Sequence, residues 1–338
     1  MKILLTGGAG YVGSACLRWL LRHGHDPIAL DNLSEGNAPS VPADRLIVGD
    51  ILETEWLAEQ MCQHRIEAVM HFAALALVPE SIQQPQRYWK VNVGGTRSLL
   101  DAMAAASVDK ILFSSTAATY SFDEPMPLTE ASQQKPRVPY GTTKLAAENM
   151  IQDYASAYGW GSVILRYFNA CGADPDGLHG ESRRHETHLI PLIFSAALGQ
   201  RDKVLVYGTD WPTRDGSCVR DYVHTEDLAQ AHHKALEQLE PGTGRVYNLG
   251  TGTGTTVLEV LSACEKAIGR PIPSEKVDRR PGDPATLVAA SDKARADLGW
   301  EPKYPDIDSI VSTAWRWHRD HPDGYNDEPT IARANQGE

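Results

Sequence analysis

Lys2-Ile3-Leu4-Leu5-Thr6-Gly7-Gly8-Ala9-Gly10-Tyr11-Val12-Gly13-Ser14 is the stretch whose reading decides the fold. Its first five residues are an apolar run of strand length. Residues 11–23 then carry Val12, Cys16, Leu17, Leu20 and Leu21 at helical spacing. The glycines between satisfy both Gly8-x-Gly10-x-x-Gly13 and Gly7-x-x-Gly10-x-x-Gly13. Glycine lets the backbone turn sharply and approach a pyrophosphate with no Cβ in the way. The helix N-terminus behind it offers unpaired N–H groups and a positive dipole. Taken alone the motif is weak, because many glycine-rich turns bind nothing. Context strengthens it. A second strand, 27–30, leads into Asp31, near the offset of about 20 residues expected for an acid that grips adenosine ribose hydroxyls. A carboxylate there repels a 2′-phosphate, and Asn32-Leu33-Ser34 brings no arginine to receive one. Strand, loop, helix, strand and acid together point to NAD.

Further strand-like runs follow at Leu46–Val48, 68–72, 111–114 and 163–167, separated by helical stretches near 56–62, 93–106 and 141–158. Alternating strands and helices with continuously apolar strands predict a parallel sheet covered on both faces, its crossovers right-handed. The fold class is therefore α/β, a Rossmann-type doubly wound parallel sheet. Asp50-Ile51, after the third strand, is placed to flank an adenine, although an acid there is often only a helix cap. From Cys171 to Arg184 the texture changes, with Gly, Pro, His and Arg frequent. Beyond it the pattern predicts a helix over 190–198, a strand over Val204–Tyr207 and a helix over 221–236 that returns to the first lobe.

Hydrophobic residues make up 42% of the 338 and charged residues 22%, the mix of a folded globular protein. The 44 Asp+Glu outnumber 32 Lys+Arg, for a net charge of -12. So acidic a surface repels nucleic acid and anionic membrane, which favours a small ligand held by a local arrangement. The five cysteines are scattered, without Cys-x-x-Cys, as in a reduced, cytoplasmic compartment. Gly7 and Gly8 cut the opening apolar run too short for a signal sequence. No later run approaches the roughly 20 apolar residues of a membrane helix.

Chemistry is carried by Ser114-Ser115-Thr116, ending one parallel strand, and Tyr140-Gly141-Thr142-Thr143-Lys144, opening a helix. Spacing i, i+4 puts Tyr140 and Lys144 on one helix face. A phenol ionises near pH ~10, too high for a base at neutrality. A neighbouring ammonium, a positive nicotinamide and a hydroxyl from Thr116 all favour phenolate. Removal of a sugar hydroxyl proton is then possible as hydride leaves the same carbon. On spacing alone a surface Tyr with an unrelated Lys is the better reading. It loses here because the pair follows a dinucleotide loop and a hydroxyl-rich strand end, where ligands meet open α/β sheets.

The residues resemble the extended short-chain dehydrogenase/reductases, and among them the UDP-hexose 4-epimerases, from residue 2 to about 325. The likeness rests on the glycine loop, Asp31-Asn32-Leu33, Gly49-Asp50-Ile51, His71-Phe72-Ala73-Ala74 and Asn92-Val93-x-Gly95-Thr96. It continues through Phe113 to Thr116, Tyr140-Gly141-x-x-Lys144 and Arg166-Tyr167-Phe168-Asn169. The later blocks, Tyr207-Gly208 to Asp215-Gly216, Val219-Arg220-Asp221-Tyr222-Val223-His224, Tyr247-Asn248-Leu249-Gly250 and Arg279-Arg280-Pro281-Gly282-Asp283, narrow it.

The resemblance implies a tightly held NAD, reduced and reoxidised in each turnover, and interconversion of UDP-glucose and UDP-galactose through a 4-keto sugar. Tyr140 takes the O4 proton, with Lys144 and Thr116 completing the catalytic set. Gly7, Gly10, Tyr11, Val12, Gly13, Asp31, Asn32, Asp50 and Ile51 belong to the cofactor site. Phe72, Ala73, Ala74, Asn92, Ser114, Ser115 and Tyr167 complete it together with Tyr140 and Lys144. For the substrate, Asn169, Arg220 and Arg280 hold the diphosphate, Asp283 a ribose, and Leu189 and Tyr207 bracket the uracil. Phe168 lies beside the sugar, and His188 stands where some members have asparagine near the phosphate. The nearby histidines are read as loop residues, and no metal is expected. Leu287 occupies the position that gates room around the sugar's C2 substituent, and a smaller residue than tyrosine there admits N-acetyl sugars.

Ala76 replaces a lysine that some members place after the His-Phe-Ala motif, so one cofactor contact is missing, and Thr116 replaces a serine. Ala117-Ala118 follow Thr116 where a 4,6-dehydratase needs an acid pair to expel water. A UDP-pentose 4-epimerase would use the same residues, whereas a non-catalytic NAD-binding scaffold tends to lose Tyr140 or Lys144. The expected organisation is a NAD domain, 1–168 plus 219–249, and a smaller C-terminal α/β nucleotide-sugar domain, 169–218 plus 250–325. A polar tail, 326–338, is expected to be poorly ordered, and a homodimer is expected to pair through the helices at 93–106 and 141–158.

Overall fold

The computed structural model describes residues 1–280 and 282–326, so the tail lies outside the described residues except for Asn326. Among the described residues, fourteen strands form in chain order. They are β1 Lys2–Thr6, β2 Asp26–Asp31, β3 Leu46–Val48, β4 Ala68–His71, β5 Lys110–Thr116, β6 Gly161–Tyr167 and β7 Asn169–Cys171. After them come β8 Val204–Tyr207, β9 Val219–Arg220, β10 Tyr222–His224, β11 Gly244–Leu249, β12 Thr255–Thr256, β13 Ser274–Val277 and β14 Thr286–Leu287. The helices are α1 Tyr11–Arg22, α2 Thr54–His64, α3 Val78–Gln83, α4 Pro85–Tyr88, α5 Gly95–Ala106 and α6 Pro139–Tyr158. They continue with α7 Leu189–Ala197, α8 Thr225–Glu237, α9 Val257–Ile268, α10 Asp292–Leu298 and α11 Ile307–Asp320.

Seven strands make one sheet in the order β11-β6-β5-β4-β1-β2-β3, every neighbouring pair parallel. Their near-continuous apolar sequence is explained by two cores. Ile3, Leu5, Met70, Leu112, Val163 and Leu165 face one core, whereas Leu4, Val69, Ile111, Phe113 and Ile164 face the other. Successive strand residues point to opposite faces, so both faces must be apolar when both are covered. Helices α1 and α8 supply Leu17, Leu20, Leu228 and Leu236 to the first core, and α5 and α6 supply Leu99, Met103, Ala147 and Ile151 to the second. Truncating a fully buried ring such as Phe113 to Ala costs about 3–5 kcal/mol. Chain order reverses between β1 and β4, and the crevice that opens at such a point is where open α/β sheets bind ligands.

A third core joins Ile190, Ile193 and Phe194 of α7 to Val260, Leu261 and Cys264 of α9 and Ile310, Val311 and Ala314 of α11. The small sheets β10-β7, β12-β9-β14 and β13-β8 lie among these elements. Ala294, Leu298 and Trp300 follow them in sequence yet return to the first core. The five cysteines are all free.

One element departs from the sequence reading. The segment expected as helix from 221 begins as β10, because Tyr222, Val223 and His224 pair in parallel with Asn169, Ala170 and Cys171. Helix α8 starts only at Thr225, where the His224 side chain accepts a hydrogen bond from the Glu226 amide. No described helix is long and apolar enough to cross a membrane.

Candidate active site

The glycine loop joins β1 to α1 at the switch point. Gly7 has φ +67°, and a Cβ built there would lie 2.5 Å from the Ala73 amide nitrogen at the end of β4. A Cβ on Gly13 would lie 2.3 Å from the Gly7 carbonyl oxygen, so this turn of helix packs directly on the loop. Gly10 is different: its added Cβ would meet only the Gly7 oxygen, at 3.2 Å, which leaves room above the helix end. Gly10 caps α1 without a side-chain acceptor, and no acid occupies the first turn. The positive end of α1 is therefore open to a diphosphate.

Asp31 closes the same crevice. Its Oδ2 accepts from the Ala9 amide at 3.0 Å and its Oδ1 from the Leu33 amide at 2.8 Å. Each oxygen keeps a second lone pair for a ribose hydroxyl. Asn32 donates to Asp50 Oδ2 at 3.0 Å, and Asp50 Oδ1 accepts from the Leu52 amide. Ile51 is buried against Gly95. A cradle closed by glycines, an undecorated helix end and a carboxylate at the end of β2 fit a dinucleotide.

Tyr140 and Lys144 lie in the first turns of α6, which Pro139 starts at a position where a missing N–H costs nothing. Gly141 lets α6 approach the 3₁₀ turn after β5, because a Cβ there would lie 2.2 Å from the Ala118 carbonyl oxygen. Burial pushes the Tyr140 phenol up, while the Thr116 hydroxyl and the Arg183 guanidinium pull it back. Burial also brings the Lys144 ammonium down to about 7, with Glu148 opposing. The lysine head sits 4.2 Å from the centre of the Phe113 ring. The sequence reading gives the pull on Tyr140 to Lys144, Thr116 and a bound nicotinamide. In the protein alone it comes from Thr116 and Arg183, and burial outweighs both.

Other expected cofactor residues surround this pair. Ser114 bonds the Tyr167 hydroxyl, and Ser115 donates to Glu148. Phe72 packs its ring 5.0 Å from His232, and Ala73 faces Gly7, followed by Ala74 in the same irregular segment. The Asn92 amide bonds within the protein: Oδ1 accepts from Leu75 N, and Nδ2 donates to Leu75 O and to Thr143 Oγ1. It clamps the segment after β4 onto α6. Tyr11 is half-buried and donates to the Gly172 carbonyl at 2.5 Å, tying the glycine loop to the segment after β7, with Val12 half-buried beside it.

The expected substrate residues fall into three groups. Phe168 and Asn169 leave the end of β6, Asn169 exposed on β7 with its amide donating to Asp221 O. Arg220 on β9 lies 3.8 Å from Asp283, and parallel pairing of β9 with β14 sets Leu287 opposite Arg220. Arg280 stacks its guanidinium 4.3 Å from the Tyr207 ring centre, at the end of β8. His188 caps α7 ahead of Leu189, its Nδ1 2.7 Å from Glu181 Oε1.

Two residues here escaped the sequence reading. Glu181 is buried, and although burial would raise it, His188 and Arg183 hold its carboxyl down at about 2. Arg183 donates to Glu181 at 2.7 Å and reaches the phenols of Tyr11, Tyr140 and Tyr167 electrostatically. The only hint was the run of His and Arg in that loop. Glu181, Glu186 and His188 bring ligand-type atoms within 4.8 Å of one another, but hydrogen bonds inside the group account for that closeness.

Residues 3–250 match the model of the NAD dependent epimerase/dehydratase family. The chain belongs to that family. Within it, the chain is 49% identical over 329 residues to the UDP-glucose 4-epimerase of Halalkalibacterium halodurans, covering 97% of this chain and 98% of that one. It superposes with a TM-score of 0.91 on the UDP-glucose 4-epimerase from Brucella ovis in complex with NAD, 45% identical, covering 93% of this chain and 97% of that one. The UDP-glucose 4-epimerase from Bifidobacterium longum in complex with NAD+ and UDP gives a TM-score of 0.91 at 36% identity, covering 96% and 100%.

Proposed function

We propose that this chain interconverts UDP-glucose and UDP-galactose, with Tyr140 as the base that takes and returns the sugar O4 proton. Bound NAD supplies a reversible hydride acceptor for the sugar C4. Lys144, one turn along α6, favours the phenolate and holds the cofactor's ribose, and the Thr116 hydroxyl orients the phenol. Arg220 and Arg280 hold the diphosphate by charge, with Asn169 and His188 completing its cradle. Leu189 and Tyr207 bracket the base, and Asp283 takes a ribose hydroxyl. The anchored diphosphate lets the 4-keto sugar turn over, so that hydride returns to its other face.

The observation that carries this reading is the Tyr140–Lys144 pair, a half-buried phenol one turn from a buried ammonium, beside an open dinucleotide cradle. The likeness to an epimerase in complex with NAD+ and UDP supports it. Incubating the purified protein with UDP-galactose and separating the products tests it. UDP-glucose as the product supports the reading, and no conversion or a 4-keto-6-deoxy product overturns it.

The lobe division, 1–168 plus 219–249 for the cofactor and 169–218 plus 250–325 for the nucleotide sugar, belongs to the same reading. So does a homodimer through α5 and α6, whose neighbourhood leaves Trp89 45% and Tyr158 61% exposed. Five free cysteines fit a cytoplasmic location.

A further inference from the structure

Behind the Tyr140–Lys144 pair lies a polar cluster that the mechanism does not use. Glu148 is 1% exposed and stands one helical turn beyond Lys144, so Tyr140, Lys144 and Glu148 form an i, i+4, i+8 ladder on α6. Its carboxylate takes both Nε of Arg166, at 3.0 Å, and Nη2, at 2.6 Å. Ser115 donates to the same carboxylate from the end of β5, and Gln134 Nε2 donates at 3.0 Å from the loop before α6. Arg166 Nη1 continues to the Tyr120 hydroxyl at 2.8 Å, and Tyr120 donates to Asn248 Oδ1 at 2.7 Å on β11. One carboxylate thus joins α6 to β5, β6 and the intervening loop. Ser115 is next to Thr116, so this joint sets the register of the phenol against its hydroxyl partner.

We propose that Glu148 is a positioning residue for the Tyr140–Lys144 pair: its locked carboxylate fixes α6 against the end of β5 and keeps a negative charge one turn behind the Lys144 ammonium. The inference rests on the proposed role of that pair. An ammonium buried over the Phe113 ring has little reason to stay charged unless an anion is near. The groups around it are Tyr140 and Glu148 on its own helix, His71 on β4, and Tyr167 and Arg166 on β6, with Arg183 reaching the phenol from the loop before α7. His71 adds no charge, because burial and Lys144 hold its imidazole down at about 3. Glu148 is the anion among these groups, and it opposes the effect of burial on Lys144.

The test uses NAD-loaded protein labelled with ¹³C at lysine Cε, the Lys144 signal being assigned by its loss in Lys144→Met. In Glu148→Gln the titration midpoint of that signal falls by about one pH unit, and Glu148→Asp restores it. The alkaline limb of the epimerase pH profile moves down with it, while KM for UDP-galactose and NAD content stay unchanged. Should Glu148→Gln fail to fold because Arg166 is left buried and unpaired, Arg166→Gln keeps the carboxylate, still bonded to Ser115 and Gln134, while removing the cation that offsets it, and is expected to raise the midpoint. An unmoved midpoint in whichever variant folds overturns the proposal. Because the midpoint is read without turnover, it decides this point even if UDP-galactose proves not to be the substrate.

Discussion

The Nδ1 atom of His188 lies 2.7 Å from Glu181 Oε1, joining a half-exposed imidazole at the start of α7 to a carboxylate that is 4% exposed. Glu181 also holds Arg183, and these two partners hold its carboxyl down at about 2 although burial opposes this. A carboxyl held below its unfolded value of 4.5 stabilises the fold fully above that pH and loses its contribution as the pH falls toward 2. The difference in urea midpoint between the native protein and Glu181→Gln is therefore largest near neutrality and narrows below about pH 4.5. A difference independent of pH would contradict the pairing.

Gly13→Ala forces a Cβ to within 2.3 Å of the Gly7 carbonyl oxygen, and Gly7→Ala forces one to within 2.5 Å of Ala73 N with φ at +67°. Each costs on the order of 1–3 kcal/mol of strain and spoils the diphosphate cradle. The expected outcome is loss of co-purifying NAD, read by mass analysis after denaturation, together with a lower melting temperature.

Tyr11→Phe removes the bond from the glycine loop to the Gly172 carbonyl. A buried acceptor left without its donor costs about 1–3 kcal/mol. Backbone amides that hold the diphosphate remain, so NAD content is unchanged. KM for UDP-galactose rises several-fold, because the segment after β7 loses its tie to the cofactor loop.

Leu287 stands opposite Arg220 across the β9–β14 pairing. If leucine there admits a C2 N-acetyl group, as proposed, the protein is expected to convert UDP-N-acetylglucosamine as well as UDP-glucose, and Leu287→Tyr is expected to abolish only the former. No detectable conversion of the N-acetyl sugar by the unaltered protein, beside healthy conversion of UDP-glucose, refutes this.

Much of this was legible in the sequence for local reasons. Strands such as β1 and β5 betray themselves because alternate residues feed two cores, which leaves the run apolar throughout. Tyr140 and Lys144 are readable because their relation is set by helix geometry alone. What stayed hidden depends on distant pairing. The strand at Tyr222–His224 exists through a partner more than fifty residues earlier, and read alone it continues into the α8 helical pattern. Asn92 sits in a motif that implies cofactor contact, and only packing reveals that its amide also bonds Leu75 and Thr143. Arg183 and Glu181 lie in an aperiodic loop, where no spacing rule marks the residue that folds back toward the phenol.

Turnover of UDP-galactose by Tyr140→Phe, set beside its NAD content, tests the central claim most directly. Losing the phenolic proton acceptor lowers kcat by about 10²–10⁴-fold, with NAD still bound and UDP affinity intact. Interconversion at the unaltered rate would remove Tyr140 from the chemistry and contradict the account.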